Sequence, residues 1–217
     1  MKFDMYVHTS ISECSNLDVK DILTYAREFG LDGVCITDHQ TMEISKQIKE
    51  GIQDNGLCVI LGMEYTTADG DFLLFGPFEE IEADLPARYL LELVKQSNGV
   101  AVAAHPFRHS RSVSEFVFND RLCTVVESIN GRNSENENLM AKRWHQQYSL
   151  SLCGGSDARC IDELGKVITR FAFPVQNRLD LIYALKNNLC RPSAGISHEP
   201  KRCKSKTLRS ERLAVSC

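Results

Sequence analysis

The apolar residues of this 217-residue chain come in short runs, and run after run stops on a histidine or an acid. FDMYVH ends at His8, GVCITDH at Asp38 and His39, and CVILGMEY carries Glu64. GVAVAAHP closes on His105, and LSLCGGSD on Asp157. Runs of this length read as buried parallel strands. In barrel-like α/β folds the reactive groups hang off the carboxyl ends of the strands, so these residues converge on one rim. Imidazole and carboxylate groups gathered on one rim form a recipe for binding divalent metals.

Segments with helical spacing separate the runs. Strand 2–7 leads to a helix over 18–29 with a glycine stop, and strand 33–37 to a helix over 41–54. Strands 57–65 and 71–75 flank the turn TADGD. A helix over 86–97 precedes strand 100–104, and strand 123–129 precedes a helix over 134–147. Strands 150–154 and 168–173 and a helix over 178–188 complete the order. Repeated βα units imply an α/β fold with a mostly parallel sheet or barrel. About seven units in so short a chain suit a small, irregular barrel better than a full eight-fold one.

The formal charge of −4 is uneven. Residues 194–217 hold six Lys/Arg against two Glu, and the other 193 residues hold 19 Lys/Arg against 27 Asp/Glu. The chain thus divides into an acidic domain over 1–193 and a basic tail over 194–217. The tail shows neither periodicity, which predicts disorder, either solvated or touching a nucleic acid or another anionic surface. The acidic body argues against a nucleic-acid-binding surface elsewhere. No apolar run approaches the ~20 residues of a membrane-spanning helix. The start MKFDMYVH lacks a signal peptide's apolar stretch, so a cytoplasmic location is expected.

Nine cysteines include no CxxC pair and are odd in number. Cys35, Cys58, Cys123 and Cys153 lie in strand-like runs and read as reduced packing residues, whereas Cys14, in SECSN, is a candidate reactive thiol. Asp38 and Asp157 have a plainer alternative as helix caps. Glu64, after VILGM, needs a partner or a metal. Arg108, Arg111 and Arg132 follow strands and read either as solvated residues or as phosphate contacts. Asn130 and Asn133 make the turn into the 134–147 helix and cap it, with Ser134 as the rival cap. Trp144 reads as a packing residue and His145 as a surface one.

The segments DMYVHTS, GLDGVCITDHQT, LGMEYTT, GDFLLFG, AAHPFR, ESINGRNSENENLMA and GGSDAR resemble the polymerase and histidinol phosphatase (PHP) superfamily over about residues 2–192. The resemblance implies a distorted (β/α)7 TIM-like barrel that holds up to three divalent metals and hydrolyses phosphoesters. On its motifs His8, His39, Glu64, His105 and Asp157 match metal ligands, with Glu64 as the bridging carboxylate. Asp71 stands where a ligand histidine is usual, and its carboxylate oxygen still binds such ions. Tyr6 replaces the first motif histidine, and its hydroxyl is suited to holding a water or a substrate oxygen.

Arg159 replaces a histidine, and guanidinium has no lone pair to offer a metal. Two ions of manganese, zinc or iron are therefore expected, with the third site in doubt and Glu13 as a weak substitute donor. Arg159 either clamps a substrate phosphate in place of the third ion or pairs with an acid such as Glu13.

The function that follows is hydrolysis of a small phosphorylated metabolite or nucleotide by metal-activated water. Glu64, His39, Arg159 and Asp157 would act in catalysis, and Arg159, Tyr6 and Arg108 would contact substrate. The alternative is a degenerate module that binds metal or phosphate without turnover and serves regulation or assembly.

Overall fold

A wall of seven strands curls into a nearly closed barrel in the computed structural model, which describes residues 1–195. The strands are β1 (Lys2–Val7), β2 (Gly33–His39), β4 (Cys58–Thr67), β5 (Gly70–Phe75), β6 (Val100–Ala103), β7 (Val125–Asn130) and β8 (Ser151–Gly155). A short β3 (Gly51–Ile52) pairs with β4 off this path. Neighbours β1–β2, β2–β4, β6–β7 and β7–β8 are parallel. β5 alone runs against its neighbours β4 and β6, because the TADG turn folds it back as a hairpin.

Two antiparallel strands, β9 (Val167–Phe171) and β10 (Cys190–Ala194), extend the sheet beyond β1. The wall closes where Val7 meets Ala158: His8 N–H donates to Ala158 O (2.9 Å) and Ala158 N–H to Tyr6 O (3.1 Å). Below that bridge the Thr169 hydroxyl of β9 bonds both backbone groups of Gly154.

Among the described residues five helices join the strands: α1 (Val19–Glu28), α2 (Ala87–Gln96), a single turn α3 (Phe116–Asn119), α4 (Glu135–Tyr148) and α5 (Arg178–Lys186). α1 buries Ile22 and Ala26 and ends as its glycine suggests. Gly30, at φ 73°, donates to Arg27 O and Leu31 N–H to Ala26 O, which satisfies two of the last carbonyls. For α4 the cap is Ser134 rather than Asn130 or Asn133. Its hydroxyl accepts Glu137 N–H, and the Glu137 carboxylate accepts Ser134 N–H (2.8 Å). Trp144 packs between Phe107 and Phe118. His145 is half-buried rather than on the surface, its ring bonded to Leu150 O.

The helix expected over 41–54 does not form. Ile44 and Ile48 are both buried, as helical spacing suggests, but only one tight turn, Glu43–Lys46, is present. Gly51, at φ 119°, enters a backbone region open to glycine, and β3 then pairs with Cys58 and Val59. The Glu50 carboxylate accepts Leu61 N–H (2.9 Å) and fixes that hairpin. Strand β10 and the turn α3 had no counterpart in the sequence reading. No helix is long and apolar enough to cross a membrane among the described residues. The basic tail lies almost wholly outside them.

Two apolar clusters divide the interior. One lies between the wall and the helices around it. The other gathers alternate wall residues, among them Phe3, Met5, Cys35, Ile60, Leu73, Phe75, Val102, Val125 and Cys153, together with Leu181, Ile182 and Leu185 of α5. This is the barrel interior, with α5 across its lower mouth. Side chains alternate along a strand, so His39 shares the face of Cys35, Glu64 that of Ile60, and Asp71 that of Leu73. The sequence therefore places apolar side chains low in the barrel and ligating side chains above them.

Asp4 fastens this closure. Its buried carboxylate accepts N–H bonds from Tyr6 (3.2 Å), Ser156 (2.9 Å) and Gly165 (2.8 Å), joining β1 to the loops on either side of the Val7–Ala158 bridge. Burial pushes its pKa up to about 6, against the pull of those bonds. Asp4→Asn puts an amide donor against a backbone donor, so it should lower stability by about 1–3 kcal/mol. Urea unfolding checks this, and a midpoint equal to wild type would contradict it.

Candidate metal centre

The six side chains expected as ligands meet at the upper rim, and five of them, all but Asp157, fall into groups that could hold an ion. His8 follows β1, His39 ends β2 and Glu64 lies near the end of β4. His105 follows β6 and Asp157 follows β8. Asp71 joins them from near the start of β5, since that strand runs the other way. All are buried except His39, which keeps about a third of its side chain exposed. The parallel register of β2 and β4 sets His39 directly beside Glu64.

Glu64 is the hub. Its Oε2 lies 2.9 Å from His39 Nδ1 and 3.4 Å from His8 Nε2, and its Oε1 lies 3.3 Å from His105 Nε2. His8 Nε2 is also 3.2 Å from Asp157 Oδ1, and His105 Nε2 is 3.7 Å from Asp71 Oδ2. Two groups of possible ligands result, His8–His39–Glu64 and Glu64–Asp71–His105, each with its donor atoms within 4.8 Å of one another. His8 Nε2, Glu64 Oε2 and Asp157 Oδ1 are buried and face one another at 3.2–3.4 Å without a well-aligned hydrogen bond. Buried polar atoms are rarely left so, and three facing one another suit a divalent cation.

The two acids Glu64 and Asp157 are held in the ionised form that ligates, whereas His39 is held protonated and would have to give up a proton to bind an ion. Burial works to lower the His39 pKa, but bonds to Cys14 and Glu64 outweigh it and push it up to about 10. Burial likewise opposes ionisation of Glu64, while the bonds from His105 and His39 and the charge on His39 hold it well below the usual carboxylate range. Asp157 behaves similarly: burial is outweighed by His8, Arg108 and Arg159. His105 (φ 29°) and Asp157 (φ 53°) both adopt left-handed backbone, so local strain falls on two of the six.

Tyr6 lies among the ligands, its hydroxyl 3.3 Å from His105 Nε2. Burial and the nearby acids Glu64, Asp157 and Glu127 raise its pKa well above 10, so it remains a phenol. Gly155 makes room for it: a Cβ there would sit 2.5 Å from the Tyr6 Cβ. Arg159 turns to Asp157 (Nη2–Oδ1 3.5 Å), not to Glu13, and its Nε–H is buried without a partner. Arg108 donates to Asn133, Asn130 and Asp157, at 3.0, 2.9 and 2.9 Å. Arg111 bonds Asp71 (3.0 Å), while Arg132 pairs with Glu163 instead.

Asp38 joins neither ligand group and caps no helix. It accepts bonds from Thr9 N–H, the Thr9 hydroxyl and the Ser12 hydroxyl, and Ser12 in turn accepts His39 N–H. It thereby fixes the loop that carries His8. Cys14 is exposed and bonds the His39 ring. Glu127 was missed by the sequence reading. Buried on the interior face of β7, it accepts His105 N–H (2.8 Å) and Asn130 Nδ2–H (3.0 Å), and burial pushes its pKa up to about 7. An acid interrupting the run TVVESI was the available signal.

Comparisons with known proteins point the same way. The model of the PHP domain family matches residues 4–171. An uncharacterized protein of Methanocaldococcus jannaschii is 30% identical over 185 residues, covering 79% of this chain and 71% of that protein. Among solved structures, one similar fold is a two-domain protein from Bacteroides vulgatus containing a predicted PHP-like metal-dependent phosphoesterase. Its TM-score is 0.69 at 15% identity, over 90% of this chain and 65% of that one. Another is Endonuclease Q in complex with a duplex bearing an abasic lesion, with TM-score 0.66 at 17% identity over 86% of this chain and 56% of that one. This chain spans less than two thirds of either solved chain.

Because both ligand groups use Glu64, Glu64→Gln should weaken Mn²⁺ binding at each by more than about tenfold. Asp71→Asn should weaken one and spare the other. Metal titration followed by elemental analysis reads both. Equal losses from the two variants would refute the sharing.

Proposed function

Because this chain belongs to the PHP domain family, we propose that it hydrolyses a phosphoester of a small phosphorylated metabolite or nucleotide, using divalent metal ions. The supporting observation is the shared Glu64: its two oxygens serve two ligand groups, next to an arginine donor without a partner. His8, His39, Glu64 and Asp157 would hold one ion, and Glu64, Asp71 and His105 a second. Bound divalent ions, of manganese, zinc or iron, supply charge that polarises a phosphoryl group and acidifies water.

The chain's own residues do the rest. Arg159 presents its buried Nε–H and a guanidinium cation to a phosphoryl oxygen, offsetting charge as it develops. Tyr6, kept as a phenol, donates a hydrogen bond to a substrate or water oxygen. When it does not hold an ion, His39, about a third exposed, is placed to carry a proton between the centre and solvent. Arg108, tied to Asn130 and Asn133, orients Asp157 and adds positive charge at the mouth.

A second reading, a module that binds phosphate or metal without turnover, is favoured by one observation. Asp71 and Asp157 already have arginine partners, which lessens their need of metal. Elemental analysis with p-nitrophenyl phosphate turnover in Mn²⁺, Zn²⁺ and Fe²⁺ separates the two. Two ions with turnover support the enzyme, and neither metal nor turnover under any of the three ions leaves the module. Arg159→Ala should lower kcat/KM about 100-fold with metal content unchanged. Wild-type rates in that variant would remove the clamp.

A further inference from the structure

We propose that the lower end of the barrel carries a separate binding site for a small amphipathic anion, one with an acyl or aryl body and a single anionic head. A cavity of about 430 Å³ opens there, a size typical of small-ligand sites. It lies between the end of α2 and the starts of β6 and β7, whereas His105 and Asn130 stand at the opposite ends of those strands. It is therefore distinct from the metal centre.

The walls set the ligand's chemistry. Leu91, Val94, Val100 and Ala101 form an apolar floor. Lys95, Arg121 and Lys186 form the rim, and no acid lines the cavity. No ion pair between described residues uses any of the three cations. Asp120, next to Arg121 in the chain, is engaged by Arg88. Lys186 Nζ reaches the Asn98 carbonyl at 3.3 Å, a long bond for an ammonium.

Three unpaired cations round one apolar hollow are unusual on a chain whose first 193 residues hold 27 acids against 19 bases. Arg121 also stands at φ 53° where α3 ends, a position that favours glycine.

Each simpler occupant leaves part of the site unused. A bare anion gains little from exposed cations in water and does not cover the floor. A neutral apolar molecule covers the floor and leaves three charges without a counterion. An apolar body with an anionic head satisfies both.

The test is titration of octanoate and octyl phosphate into the full chain, followed by backbone amide chemical shifts. Saturable shifts are expected at Val94, Gly99 and Thr124, with the residues of the metal centre unmoved. Arg121→Glu combined with Lys186→Glu should weaken binding at least about tenfold. Both positions are exposed, so the fold is retained, and an unchanged metal content serves as the control. The proposal is overturned if neither probe saturates by about 5 mM, or if the charge-reversed variant binds as wild type does. It also fails if n-octanol or inorganic phosphate alone binds as tightly. None of these readings depends on the phosphoesterase assignment.

Discussion

A carboxylate buried among three imidazoles governs this molecule. An isolated charge in such a place costs several kcal/mol or more unless it is paired and hydrogen-bonded. Glu64 meets that requirement through His8, His39 and His105, which arrive from three different strands. The wall must therefore curl far enough for β1, β2 and β6 to face β4 across one mouth. Much of the remaining architecture serves that convergence: the reversed β5 that delivers Asp71, the bridge that closes the wall at Val7, and Asp4 holding the closure from below.

Charge balance explains the outer layer. Three acids, Glu64, Asp71 and Asp157, crowd the rim with no exposure to solvent. Imidazoles balance Glu64 from within, while Arg111 and the pair Arg108 and Arg159 balance Asp71 and Asp157 from outside. Guanidinium groups stay protonated and bond carboxylates in fixed geometry, so they hold these acids in place before any metal arrives.

Much of the fold was legible because strand signals are local. Apolar runs of the right length, a hairpin turn at TADG and a glycine stop after α1 each fix an element through its own residues. The failure at 41–54 shows the limit. Ile44 and Ile48 do bury as a helix would bury them, but Gly51 and the pairing of β3 with β4 decide the backbone, and the partner strand lies several residues further on. Local spacing carries no information about that competition. The cap of α4 was left open for a similar reason: Asn130, Asn133 and Ser134 all have capping side chains, and the asparagines are drawn away by Arg108.

The sequence alone determined which residues stand at or just past the ends of strands, because an apolar run marks its own limits. His8, His39, Glu64, His105 and Asp157 were legible on that ground, and the family resemblance added Asp71, Tyr6 and Arg159. Only the tertiary structure decided that Glu64 divides its oxygens between two ligand groups, that Arg159 turns to Asp157, and that Glu127 supports His105 from beneath. Those relations depend on register and curvature between strands far apart in the chain. No residue encodes them by itself.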